Sequence, residues 1–507
     1  MNRSAVYWGA NACFGLAVLA GCVLSPAGDT VHPLYLIPLF ALCSAPVLSM
    51  RVLNDRYGLL ILFGFVYFVF YGLLDFVNLM FARSSTPASD GLIGADEAVI
   101  LVGAAAAQLG YHLVCRTVPV DGTFGSPVRD WPESTLVRWG ALIWAVSTWL
   151  SWQFRVHVIV DTSIESAARG MSSLSGLQLD AFLLAGYLQP MGIVILAYAY
   201  CVYRKPYILP LLLAAILVEI VFGFVSDSKG QALIGMIIVT VTKLLVDGKL
   251  PKIWLAGAAA VVLLIFPLLQ ANRIALGLRG TDHARAAQDI VATLTRAFST
   301  EESVSQGRYQ AETFFERSSL KNSVTMIVTR TGNGVEYQGG HTLSPLLTTF
   351  IPRLVWPDKP DVPTGRLVNQ QFHVSEQEST NISPSHLGEL YWNFGWPGVL
   401  IGMPLIGALL GFIAVKFDLQ RAVTLTRILV LIATVKLLII GFESVLNVQY
   451  SQWMRMMVAI GLLHILFARA AAPTREVPDA SNSPVVPQIP RPERIARSEP
   501  RYPNLMT

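Results

Sequence analysis

The sequence predicts an all-α, polytopic membrane protein of about twelve transmembrane helices, with one large periplasmic loop containing short interfacial helices. Three observations predict it. Of the 507 residues, 53% are hydrophobic and only 14% charged, with a mean hydropathy of +0.53; a soluble core carries about 25% charged residues. The apolar residues are gathered into runs near the length of a spanning helix, about 20 residues. The runs are continuous, not alternating, which excludes a strand barrel.

Taken in order, the first nine runs lie near 5–25, 31–50, 57–82, 96–115, 136–153, 179–203, 207–225, 231–246 and 253–271, so residues 1–271 form one block of spans. Residues 272–395 form a polar loop. Three more runs follow, near 396–415, 428–446 and 453–469, closing a second block at 396–470. Residues 471–507, rich in Pro, Ser, Arg and Glu, read as a disordered cytoplasmic tail. Leu19-Ala-Gly-Cys22 matches a lipoprotein cleavage box. Cleavage there leaves an odd number of spans and spoils the charge alternation, so the segment is read as part of the first helix.

Orientation follows from the basic residues. With Arg3 in the cytoplasm, the inside connections hold Arg51, Arg56, Arg116, Arg129, Arg138, Arg204, Lys205, Lys243, Lys249, Lys252, Lys416, Arg421 and Arg427. The short outside connections hold Arg83, Arg155, Arg169 and Lys229. This roughly threefold bias puts both termini in the cytoplasm and the 272–395 loop outside. The five cysteines (Cys13, Cys22, Cys43, Cys115, Cys201) fall inside the spans, so no disulfide framework or metal-type spacing is expected.

Within the loop, Ala287, Ile290, Val291, Leu294 and Phe298 recur at helical spacing and predict an amphipathic surface helix. Leu343 to Trp356 is apolar but too short to span and is broken by Pro345 and Pro352, which predicts a re-entrant or interfacial segment. Pro352, Pro357, Pro360 and Pro363 make the stretch from Arg353 to Lys359 a stiff set of turns. Charges within spans (Asp75, Glu219, Lys436, Glu443 and Arg455) are costly and are functional candidates; the carboxylates and Arg455 fall toward the side of the loop. Lys436 and Glu443, seven apart, are expected on one helix face. No Asp-x-Asp pair, P-loop, Gly-x-Ser-x-Gly or His-Glu-x-x-His motif is present, so neither a metal nor another cofactor is expected.

Ile351-Pro-Arg-Leu-Val-Trp-Pro-Asp-Lys-Pro360, then Ser385-x-x-Gly-Glu-x-Tyr-x-Asn-Phe-Gly395 leading into a span, resembles bacterial Wzy-type polymerases of O-antigen and exopolysaccharide repeat units. Ser228-Lys-Gly230, Glu165-Ser-x-x-Arg169-Gly170 and Tyr337-x-Gly339-Gly-His-Thr342 resemble further segments of that family. These motifs cover about a tenth of the chain. The resemblance implies a metal-independent, GT-C-like glycosyltransferase in the bacterial inner membrane. It transfers an undecaprenyl-diphosphate-linked glycan onto a second lipid-linked repeat unit at the periplasmic face, and its partners are that donor, that acceptor and membrane lipids. A chain-length regulator is left open, and nucleic acid is not a partner.

In this chemistry the diphosphate leaving group needs cations, for which Arg353, Lys359, Arg330, Arg273, Arg169 and Lys229 are the candidates. The acceptor hydroxyl needs a base: Glu389 first, then His341 or His386. Trp356, Tyr391 and Trp392 are candidates to stack on sugar rings. An O-antigen ligase shares the donor chemistry and is the nearest rival. A flippase or other transporter is expected to show internal symmetry, and none is visible.

Overall fold

A computed structural model describes residues 3–24, 34–50, 55–80, 94–118, 129–158, 176–225, 229–260, 319–349, 351, 355–356, 362–375 and 381–470. These residues are helical almost throughout. The elements are α1 (Arg3–Leu24), α2 (Leu36–Ser44), α3 (Gly58–Tyr71), α4 (Leu73–Met80), α5 (Ala95–Thr117), α6 (Glu133–Val158), α7 (Gly176–Tyr203), α8 (Ile208–Val225) and α9 (Lys229–Asp247). After the loop begins come α10 (Lys321–Arg330), α11 (Thr364–Phe372), α12 (Ser385–Phe394), α13 (Trp396–Lys416), α14 (Leu425–Thr434) and α15 (Leu446–Phe467).

Among the described residues five helices are long and apolar enough to cross a membrane: Arg3–Cys22, Ala95–Thr117, Leu184–Tyr203, Trp396–Lys416 and Leu425–Glu443. Shorter apolar helices occupy Leu36–Leu48, Gly58–Tyr71 and Ile208–Gly223. The chain is therefore a helical protein with several helices suited to a membrane. Two apolar runs that read as single spans depart from a regular helix: 57–82 divides at Gly72 into α3 and α4, and 428–446 changes winding while continuing to Glu443. In the latter, α14 passes into a π-helical turn at Val435–Ile439 and a 3₁₀ turn at Ile440–Glu443. Lys436 lies in the π-helical turn and Glu443 ends the 3₁₀ turn, so no single regular α-helix carries both.

Close approach of α5 and α13 organises the centre. A Cβ added at Gly110 would stand 2.0 Å from the Pro404 carbonyl oxygen, and one at Gly407 would stand 1.8 Å from that of Ala107. Small residues here let two backbones touch, the usual source of helix association where lipid removes the hydrophobic drive. At one end of the bundle, Arg129–Asp130 pairs antiparallel with Arg469–Ala470. The Asp130 carboxylate there accepts the Tyr198 hydroxyl at 2.6 Å and the Leu425 amide at 3.1 Å.

Segments of the polar loop pack down on the helices flanking it. The Leu320 amide donates to Phe70 O at 2.9 Å, and the Tyr71 hydroxyl donates to Ser385 Oγ at 2.9 Å. The Ser383 hydroxyl donates to the Glu443 carbonyl, and Thr325 to Asp96. α12 is buried on almost every face, so it behaves as a core helix and not as a surface helix of a solvated loop. The surface helix expected around 287–298 lies outside the described residues.

Candidate functional site

α12 starts at Ser385, a non-glycine residue at φ +60° whose side chain is fully buried. Its Oγ accepts the Gly388 amide three residues on, at 3.2 Å, which caps the first turn and holds the residue in the left-handed region. Gly395 ends the helix at φ +62°, ψ −143°, a region open essentially to glycine alone, and α13 begins at the next residue. The Tyr337–Thr342 segment closes over this end: Gln338 N and Gly339 N donate to Trp392 O and Asn393 O, each at 3.1 Å. Asn393 Oδ1 accepts the Gly340 amide at 2.9 Å, and its Nδ2 donates to Thr342 Oγ1 and Glu389 O, each at 2.7 Å.

Glu389 sits at the middle of this frame, fully buried. Its Oε2 accepts the Leu446 amide at 2.7 Å, at the start of α15, while Oε1 has no hydrogen-bond partner. Burial pushes its carboxyl up to about 7, against the opposing pull of the Leu446 amide and the Thr342 hydroxyl. A carboxyl balanced near neutrality with one free oxygen meets the electronic requirement for a general base. It also caps the N-terminus of α15, where a negative charge is favoured by the helix dipole.

His386, one turn earlier, is equally buried, and neither ring nitrogen has a partner. It lies 4.8 Å from the Phe442 ring and 5.5 Å from that of Tyr450, whose hydroxyl is likewise unpartnered. Burial lowers the imidazole to about 3, so it is neutral and a weak proton acceptor at pH 7. His341, by contrast, is exposed on the short His341–Leu343 turn. The apolar segment after it forms one helical turn, Pro345–Thr348, leaving Leu347 outermost, and the Thr349 hydroxyl bonds that of Ser451 on α15.

The aromatic and basic candidates divide. Trp392 is fully buried and packs edge-on against Phe372 at 5.5 Å; Tyr391 is buried and edge-on to Trp396 at 6.3 Å. Both therefore serve packing and offer no free face to a sugar. Trp356 is half-buried. Arg330 donates from Nη1 to Phe372 O, the last carbonyl of α11, which makes it a helix C-cap. Arg353, Lys359, Arg273 and Arg169 lie outside the described residues, and for Lys229 the first residue of α9 is placed but not its side chain.

A second cluster was not legible as such in the sequence. Lys321 Nζ lies 2.6 Å from Asp75 Oδ2 and 2.9 Å from Glu97 Oε1, all three side chains nearly buried. The Tyr35 hydroxyl also donates to Asp75 Oδ2 at 2.9 Å, and its ring lies 4.3 Å beneath the ammonium. Burial alone would lower the Lys321 ammonium, but the Asp75 and Glu97 carboxylates outweigh it and hold it above its ordinary value. Deeper in the bundle Glu219 accepts Gln189 Nε2 at 2.7 Å and Gln231 Nε2, with Lys436 within electrostatic reach. Arg455 donates to the Tyr187 hydroxyl at 3.4 Å.

The pattern of a family described as a domain of unknown function, DUF8712, matches residues 159–468, more than half of the chain. The chain belongs to the DUF8712 family. The DUF8712 match takes in Glu389, His386, Lys321 and Arg330, whereas Asp75 and Glu97 precede it. No curated protein and no solved structure matches the chain.

Proposed function

We propose that this DUF8712 protein is a lipid-linked oligosaccharide polymerase of the bacterial inner membrane. On this reading about twelve spans place the 272–395 loop in the periplasm. There the enzyme transfers the growing glycan from undecaprenyl diphosphate to the non-reducing end of an incoming lipid-linked repeat unit. Its place is O-antigen, exopolysaccharide or capsule synthesis.

The observation that carries the reading is Glu389: buried, balanced near neutral pH, with Oε1 unpartnered, in a helix leading directly into a span. Glu389 takes the acceptor hydroxyl proton as the new glycosidic bond forms, and the bond from the donor sugar to the diphosphate breaks. Arginines of the loop, Arg353 foremost, stabilise the charge that develops on the leaving group. Thr342, whose hydroxyl acts on Glu389, also accepts Asn447 Nδ2 at its carbonyl, and on this reading the fully buried Glu389 is uncovered for the acceptor when these contacts part.

Deleting the gene and resolving the cell's surface glycan on a gel tests the reading. Single repeats on lipid A core, without long chains, are the expected result. Loss of all attachment would indicate a ligase, and persistence of long chains would refute both.

A further inference from the structure

At the end of the bundle away from Glu389, a crevice of about 270 Å³ opens between α3, α9, α13 and α14. α3 runs from Gly58 at this crevice to Tyr71 at Ser385, so the two sites are roughly 20 Å apart along a 14-residue helix at 1.5 Å per residue. Leu62, Phe65, Leu244 and Leu431 are among the apolar side chains that line it. Phe65 is 64% exposed on an otherwise apolar helix, so the crevice has a side opening toward lipid. An apolar cavity of about 150 Å³ already stays dry and takes up hydrocarbon, and this one is larger.

Two carboxylates, Asp55 and Asp418, also line the crevice. Asp55 Oδ1 accepts the Tyr57 amide at 2.8 Å, and Asp418 Oδ1 accepts the Gln420 amide at 2.9 Å, so both are fixed by their own turns. Burial raises the Asp418 carboxyl; Gln420, Arg421 and Arg427 oppose that, and Asp55 adds to it. Arg427 Nη1 is held by the carbonyls of Asp418 and Ala422 at 2.8 and 2.9 Å, which places a guanidinium beside the carboxylate pair. Two acids lining an apolar crevice, with Arg421 and Arg427 acting on one of them, complement a zwitterion whose ammonium and phosphate are joined to an acyl chain.

We propose that this crevice is a binding site for one phosphatidylethanolamine molecule, its acyl chain between Leu62 and Leu431 and its primary ammonium at Asp55 and Asp418. The phosphate then lies toward Arg421 and Arg427. The site is separate from Glu389 and does not depend on what reaction occurs there.

Full-length protein in detergent, equilibrated with equal amounts of phosphatidylethanolamine, phosphatidylcholine and phosphatidylglycerol of identical chains, tests it by native mass spectrometry. One retained phosphatidylethanolamine is expected, favoured about tenfold over each competitor, the ratio that one charge-assisted hydrogen bond supplies. Asp55→Asn with Asp418→Asn should abolish the preference, and Leu431→Trp, which fills the crevice, should remove the lipid. Equal retention of all three lipids by the wild type, or preference for phosphatidylglycerol, overturns the proposal without recourse to any variant. So does an unchanged preference in the double variant.

Discussion

The Leu446 amide donates to Glu389 Oε2 at 2.7 Å across a separation of 57 residues, joining α12 to the first turn of α15. One carboxylate thereby holds a helix terminus with one oxygen and leaves the other without a partner. The two roles make different demands, and substitution separates them.

Glu389→Gln keeps a carbonyl oxygen of the same shape to accept the Leu446 amide, whereas Glu389→Ala leaves that buried donor unsatisfied. The alanine variant should lose about 2 kcal/mol of stability, from the cap and the orphaned amide together. The glutamine variant should stay close to wild type at pH 4.5 and below, where Glu389 is protonated, and should be no less stable than wild type above it. Thermal unfolding in detergent, followed by intrinsic fluorescence, distinguishes them; equal losses would show that the amide does not depend on this acceptor.

The raised carboxyl also makes stability depend on pH. The folded state holds the Glu389 proton up to about pH 7, while the unfolded chain releases it near the ordinary value of 4.5. Protons bound in the folded state therefore exceed those in the unfolded state between these limits. Stability is full below pH 4.5 and falls as pH rises through 7, by about 3 kcal/mol at 1.36 kcal/mol per pH unit of displacement. Glu389→Gln should flatten that limb of the stability profile. A wild-type profile that rises across the same interval would contradict the assignment.

Lys321 bridges Asp75 and Glu97 at a buried site, so removing it leaves two carboxylates uncompensated. Lys321→Met should destabilise by about 3 kcal/mol or more. Adding Asp75→Asn and Glu97→Gln should recover most of that loss, because no isolated charge remains. Denaturant titration of the single and triple variants provides the measurement; a triple variant no more stable than the single one would show that packing, not charge, sets the cost.

Gly395 turns the chain from α12 into α13 at φ +62°, ψ −143°, with the Tyr337 ring 3.2 Å from where a Cβ would stand. Gly395→Ala should cost about 2 kcal/mol from backbone strain alone. It should also loosen the Tyr337–Thr342 segment over Glu389, seen as faster amide exchange at Gln338 and Gly339. Exchange rates equal to wild type would mean that the segment is held without this turn.

The sequence made the helical class legible from unbroken apolar runs, whereas the burial of Glu389 and its bond to the Leu446 amide have no local mark in the chain. The charge cluster was only half visible. Asp75 stands out inside an apolar run, but nothing local marks Lys321 as its partner 246 residues away, and Glu97 is one of two acids in the first turn of α5 with nothing local to distinguish it. Tyr391 and Trp392, candidates to stack on sugar rings by residue type, are buried against Trp396 and Phe372 instead. Burial of α12 on nearly all sides left no amphipathic pattern to warn otherwise. The change to π and 3₁₀ winding between Lys436 and Glu443 has no proline or glycine pair announcing it at its start.

The most direct measurement is turnover of purified, undecaprenyl-diphosphate-linked repeat units by wild-type protein and by Glu389→Gln in the same lipid. The wild type should build a ladder of longer glycans, and Glu389→Gln, folded and with an unfolding temperature no lower than wild type, should build none. Ladders of equal length and rate from both proteins would remove Glu389 from the chemistry; no ladder from the wild type would contradict the polymerase itself.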